Sequence, residues 1–185
     1  MATMWKQNRS FKWNQDEKDE CGDNLAFEGD NLIIQKKSGE NISSCTFGKE
    51  INNKHCDVFT LDFKITNADK NWLFIGYGTA PINESMIDWN DYPANGKNSE
   101  RSYCFEIRPN DILRNGSTPP IYKHKFKSNE LFRLQFDFNK NKLILYHGYK
   151  KIYQESLILN TKKIRIIGTL RYPGHEIEIV DWSFD

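Results

Sequence analysis

The sequence predicts an all-β fold, with antiparallel sheets stacked as a sandwich, on three observations. Its clear periodicity runs by twos, the periodic segments are rich in Phe, Tyr, Ile, Leu and Val, and no stretch carries three turns of helical pattern. Successive side chains of a strand point to opposite faces. A segment apolar at every second position therefore offers one face to a core and the other to water.

Two segments carry this pattern best. In CDVFTLDFKI (56 to 65), Phe59, Leu61, Phe63 and Ile65 share one face, while Val58, Thr60, Asp62 and Lys64 share the other. In LFRLQFDF (131 to 138), Phe132, Leu134, Phe136 and Phe138 fall in register. One apolar and one mixed face is what a sandwich strand requires. Further strands are expected near 24 to 28, 31 to 36, 43 to 47, 72 to 79, 102 to 106, 142 to 147, 164 to 170 and 175 to 183, divided by turn-forming Asn, Gly, Asp and Pro. FDFNKNKLILYHGYK (136 to 150) reads as a hairpin turning at Asn139 to Asn141, with a second tight turn at His147 and Gly148. Segments 80 to 101 and 108 to 127 lack periodicity and exceed the length a hairpin needs, so both are predicted as long loops, where binding concentrates on a rigid scaffold.

At 185 residues the chain has the length of one domain, and folding at that size buries roughly 70% of the unfolded surface. The expected division is an amino-terminal tail over 1 to 12 and a single domain over 13 to 185. The 26 basic and 25 acidic residues are interspersed and leave a net charge of +1, so there is no basic stripe for a phosphate backbone and no nucleic-acid partner is expected. No apolar run suits a signal peptide or the roughly 20 residues of a membrane span. A cytoplasmic or nuclear protein without a membrane partner is the expectation. Cys21, Cys45, Cys56 and Cys104 fit neither a metal-ligand spacing nor a compact disulfide framework and read as packed thiols. The sequons at Asn8, Asn41, Asn83 and Asn115 read as chance matches in an Asn-rich chain.

The search for catalytic chemistry finds no nucleophile elbow, phosphate loop or Cys and His nucleophile pair. His55, His124, His147 and His175 never approach one another at a metal-ligand spacing, and His55 beside Cys56 would point away from it on a strand, so no metal and no cofactor is predicted. One carboxylate pattern stands out in HEIEIVDWSFD (175 to 185): Glu176 and Glu178 share a strand face, and Asp181 falls on the other unless a bulge intervenes. A glycoside hydrolase using Glu176 and Glu178 is the catalytic alternative this leaves open. The plainer reading is a strand with a solvated outer face.

The order of motifs carries more. Trp13 and Asn14, then NLAFEGDNLIIQ, TFGKEI, VFTLDFKI, NWLFIGYGTAP, FRLQFDFNKNKLILYHGYK and IRIIGTLRYPGHEIEI together resemble a SPRY domain over residues 13 to 183. The most specific match is Leu134, Phe136, Asp137, Phe138, Leu143, Leu145, Tyr146 and Gly148. The resemblance implies a two-sheet antiparallel bent β-sandwich of SPRY, concanavalin-like type that captures its partner with loops at one end and has no general catalytic chemistry. Thr79, Ala80 and Pro81, then Tyr92, Arg101 to Ile107, and Gly174, His175 and Glu176 resemble the SPRY and SOCS-box adaptors most. No SOCS box follows and no RING or B-box precedes, so a role in ubiquitin ligation is not carried over. Pro109 also departs from the pattern by weakening strand pairing after Arg108.

That resemblance places Tyr92, with Pro93 beside it, where the adaptors present a peptide-contacting tyrosine. Trp89 would form a second wall, although large aromatics in loops more often plug their own segment. Tyr172 and Pro173 stand at the turn before the last strand, Arg171 offers a charge-assisted bond, and Arg101 closes the long loop. Ser43 and Ser44 lie in the 36 to 44 loop expected at the same end. Tyr122, His124 and the flanking lysines 123 and 125 read as a solvated turn. The expectation is thus a non-catalytic module binding another protein or a short peptide motif, as an adaptor or as part of a multi-subunit complex. A carbohydrate-binding lectin stacking sugars on Trp89 or Tyr92 is the other alternative. The premise throughout is that the Tyr92 segment and the Tyr172 corner lie side by side at one rim.

Overall fold

The computed structural model describes residues 11–18, 25–37, 44–52, 54, 56–66, 73–79, 102–114, 117–157 and 163–185. Among these every regular element is a strand. They are β1 (Trp13–Lys18), β2 (Leu25–Glu28), β3 (Ile33–Lys36), β4 (Ser44–Asn52), β5 (Val58–Thr66), β6 (Leu73–Thr79) and β7 (Ser102–Ile107). The second half supplies β8 (Asp111–Arg114), β9 (Ser117–Lys123), β10 (Glu130–Asp137), β11 (Lys142–His147), β12 (Lys150–Ser156), β13 (Lys163–Leu170) and β14 (Glu176–Phe184). No helix of the described residues is long and apolar enough to cross a membrane.

The strands form two antiparallel sheets of seven, in the orders β1-β4-β13-β6-β7-β8-β9 and β12-β11-β10-β5-β14-β3-β2. The alternation read from the sequence decides what lies between them. Phe59, Leu61, Phe63 and Ile65 of β5 are buried, as are Phe132, Leu134 and Phe136 of β10. They meet Ile75 and Tyr77 of β6, Phe105 of β7 and Ile164 and Ile166 of β13 in one core. Ring contacts tie the core both across and within the layers: Tyr77 of β6 meets Phe136 of β10 edge-on at 5.3 Å between the sheets, and Phe63 stacks on its cross-strand neighbour Phe132 at 5.4 Å within one sheet. Phe11, assigned by its position to a tail, is buried against Trp13 and Phe59, so the core begins no later than this residue.

The segment from 108 to 127 is not one long loop. It contains β8 and β9, paired through Asp111 with Lys123 and Ile112 with Tyr122. Pro109 sits in the bend between β7 and β8 rather than inside a strand. Pro119 and Pro120 lie on β9, the last strand of its sheet, where a missing N–H costs little pairing. The strands that periodicity did not predict, β1, β8, β9 and β12, are short or polar. β12 (KKIYQES) is half-exposed or exposed along its length and caps the edge of the other sheet with charge.

The two turns expected around β11 are present. Asp137 accepts a hydrogen bond from the Lys140 amide at 2.8 Å and opens the β10–β11 turn, in which Asn141 takes a left-handed φ of 54°. Gly148 and Tyr149 join β11 to β12 with His147 opposite Lys150, and the positive φ of Gly148 suits the first central position of a two-residue hairpin. In β14 the register shifts between Ile179, opposite Phe63, and Asp181, opposite Asp62. This bulge at Val180 puts Asp181 on the outer face with Glu178.

Candidate functional site

Register assigns each connection to one of two rims. Leu170 pairs with both Leu73 and Ser44, and β13 then crosses to β14 through residues 171–175. On the other sheet Glu176 pairs with Thr66 and Gln35. The 171–175 corner therefore shares a rim with the end of β3, the start of β4, the bend at 108–110, the 124–129 connection and the Gly148 turn.

The corner is held by its backbone. Gly174 donates to the Lys36 carbonyl at 2.8 Å, Lys36 donates to the His175 carbonyl at 2.9 Å, and His175 donates to the Tyr172 carbonyl at 3.1 Å. Gly174 has φ +84°, a conformation other residues enter only with strain. Arg171, Tyr172 and Pro173 are each half-buried. Tyr172 meets the buried His175 ring edge-on at 5.4 Å, and the Arg171 guanidinium lies 5.8 Å from the Tyr172 ring centre. Below them Glu176 accepts hydrogen bonds from Thr66 Oγ1 at 3.1 Å and Gln35 Nε2 at 3.3 Å.

Beside the corner, Glu106 of β7 is fully buried and accepts a 2.6 Å bond from Arg108 Nε. Burial pushes its carboxyl pKa up, against the pull of the Arg108 and Arg171 charges. Arg171 thus acts electrostatically on Glu106 of β7 as well as lying over its own corner's Tyr172 ring.

Farther along the same rim, the residues read from sequence as a solvated turn form an organised cluster. Tyr122, His124 and Phe126 gather against Phe132 and His147, with His147 stacked on Phe132 at 5.0 Å and 4.7 Å from the His124 ring centre. Glu130, at the start of β10, lies 3.0 Å from His147 Nε2 and 3.5 Å from His124 Nε2. Sequence reasoning missed this convergence because the three residues come from β11, the start of β10 and the connection before it. Tyr149, 98% exposed, tops the adjoining turn.

The roots of the 80 to 101 segment lie at the opposite rim. Thr79 pairs with Ile164, at the far end of β13 from Leu170, and Ser102 pairs with Gly78. The separation along the strands is about 20 Å. In antiparallel pairing a β6–β7 connection must leave from the end where β13 begins, so this segment's roots and the Tyr172 corner leave from opposite rims. Trp89, Tyr92, Pro93, Arg101 and Ser43 themselves lie outside the described residues. Ser44 opens β4 opposite Leu170, at the corner's rim.

The outer face of the β5 sheet carries a depression of about 270 Å³ lined by Asp62, Arg133, Gln135, Asp181, Trp182 and Ser183, among others, but not by Glu176 or Glu178. Its one close charge pair is a bidentate bond from Arg133 to Asp62, at 2.6 and 2.7 Å. Glu176, held by Thr66 and Gln35, serves the strand pairing.

No protein-family model and no curated protein matches the sequence. Solved structures do match the fold. The PSpry domain of TRIM65 superposes with a TM-score of 0.68 at 8% identity, covering 94% of this chain and 93% of that one. The SPRY domain of human HERC1 gives 0.64 at 12% identity, covering 91% and 97%. A further human SPRY domain gives 0.60 at 8% identity, covering 92% and 96%. A sialidase is similar at 0.52 and 12% identity, but the match spans only 16% of it. Near-complete mutual coverage by three SPRY structures, together with two seven-stranded antiparallel sheets in the order described, gives this chain the fold of a SPRY domain.

Proposed function

We propose that this chain is a non-catalytic protein-interaction module that engages another protein, or a short peptide segment of it, as the recognition part of a larger assembly. Fold alone does not license a function. The observation that carries the reading is the 171–175 corner. There an aromatic and a proline are presented half-exposed on a backbone stitched to β3 by two hydrogen bonds, with a guanidinium alongside. Such a preformed surface spares the ordering cost that a mobile loop would add to binding. Tyrosine and arginine are also the residue types on which interface energy concentrates.

In this reading Arg171, Tyr172 and Pro173 make the primary contact, with Ser43 and Ser44 at its edge. Tyr92, Trp89, Pro93 and Arg101 form a separate contact from the segment rooted at the opposite rim. Glu176 is assigned to the fold rather than to catalysis.

Comparative pulldown from the native source tests it, using Tyr172→Ala, Tyr92→Ala and the wild type. Tyr172→Ala is expected to lose partners at least tenfold with an unchanged melting temperature, and Tyr92→Ala to lose a different or smaller set. Recovery of the same partners at the same strength by both variants refutes the reading.

A further inference from the structure

We propose that His124, Glu130 and His147 form a zinc-binding site with an open fourth position. Three elements bring these residues together, and one ligand atom from each lies within 4.8 Å of the other two. A tetrahedral zinc with nitrogen and oxygen ligands at about 2.0–2.1 Å has ligand-to-ligand edges of about 3.3 Å. The separations of 3.0 Å (His147 Nε2 to Glu130) and 3.5 Å (His124 Nε2 to Glu130) bracket that edge, and the two imidazoles lie within 4.8 Å of each other, so small ring rotations bring all three ligand atoms onto one ion. Two imidazoles and one carboxylate are a donor set that zinc accepts, and His124, at 37% exposure of its side chain, leaves the remaining position to solvent.

The surroundings orient the ligands. Phe132 stacks on His147 at 5.0 Å and Phe126 meets the same ring edge-on at 5.5 Å, fixing its plane. With Nε2 turned to Glu130, His147 Nδ1 faces the Tyr122 hydroxyl at 3.4 Å. A metal-bound histidine needs such a partner on its second nitrogen, which sets the tautomer and holds the ring. Tyr122 is thus a positioning residue for the site.

The test is titration of the full-length protein with Zn²⁺ by calorimetry, and with Co²⁺ by absorption spectroscopy. The expected result is one Zn²⁺ per chain and a tetrahedral Co²⁺ spectrum without the sulfur-to-cobalt band that thiolate ligation gives. His124→Ala, whose side chain is exposed enough to leave the fold intact, should weaken binding about 10-fold or more, and Tyr122→Phe measurably less. Proton NMR of the wild type should show the His124 and His147 ring signals moving with Zn²⁺ while those of His175 stay in place. Absence of zinc uptake would reduce the three residues to a hydrogen-bonded cluster and overturn the proposal. Uptake unchanged by His124→Ala, or a cobalt spectrum with the sulfur band, would assign the metal to other residues and overturn it equally.

Discussion

Asp137 and Glu106 are both buried carboxylates, and their neighbours send them in opposite directions. Burial opposes ionisation of Asp137, but the Lys140 amide and ammonium outweigh it and hold its pKa below the usual carboxylate value. The unfolded chain then binds this proton more readily than the native state does. The resulting stability is complete above about pH 4 and is lost as pH falls through the native value. Asp137→Asn should cost about 1–2 kcal/mol at neutral pH, read as a lower urea midpoint, with the two proteins converging in strong acid. Glu106 has the opposite sign, because burial raises its native pKa above the unfolded one. Its native state holds the proton longer, so stability declines as pH rises from the ordinary carboxylate range through the raised value. Glu106→Gln should remove that decline from a plot of melting temperature against pH. Neither sign is legible in the sequence, where both residues are single acids on alternating strands.

At the scale of the element, glycines separate tight packing from turn geometry. A Cβ at Gly76 of β6 would lie 1.9 Å from the Tyr103 carbonyl oxygen of β7, and backbone cannot yield as a side chain can. Gly76→Ala should cost about 3 kcal/mol or more in urea unfolding. Gly148, with φ +56° and no atom within 4 Å of its Cβ position, bears only the conformational term, so Gly148→Ala should cost about 1–2 kcal/mol. The strands that sequence located, such as β5, β10 and β11, are those whose one face enters the core. β12 and β9 escaped because an edge strand packs little and shows no alternation, and β8 because four residues are too few to display a period.

The whole molecule depends on contacts across the two sheets that no single element displays. Trp13 of β1 is buried and donates from its indole Nε1 to the Leu32 carbonyl at 3.2 Å, joining one sheet to the turn before β3 of the other. Gly168 of β13 makes room for it: a Cβ there would meet Trp13 Cη2 at 2.8 Å and Ile34 Cδ1 at 2.9 Å. Trp13→Ala should cost about 3–5 kcal/mol. Gly168→Ala should cost less in the Trp13→Ala background than alone, a coupling that a double-mutant cycle measures. The same antiparallel order puts the β13–β14 corner and the roots of the β6–β7 segment at opposite ends of adjacent strands.

By itself the sequence determined the all-β class, the buried faces of the main strands and both turns around β11. These follow from local alternation and turn chemistry, which neighbouring residues encode. It also pointed to Arg171, Tyr172 and Pro173 as a corner before the last strand. Only the tertiary structure decided which rim each connection occupies, that Asp181 crosses to the face of Glu178 through a bulge, and that two histidines and a glutamate from separate segments meet. Register between distant strands sets all three, because pairing one strand against another fixes which ends coincide and which side chains share a face.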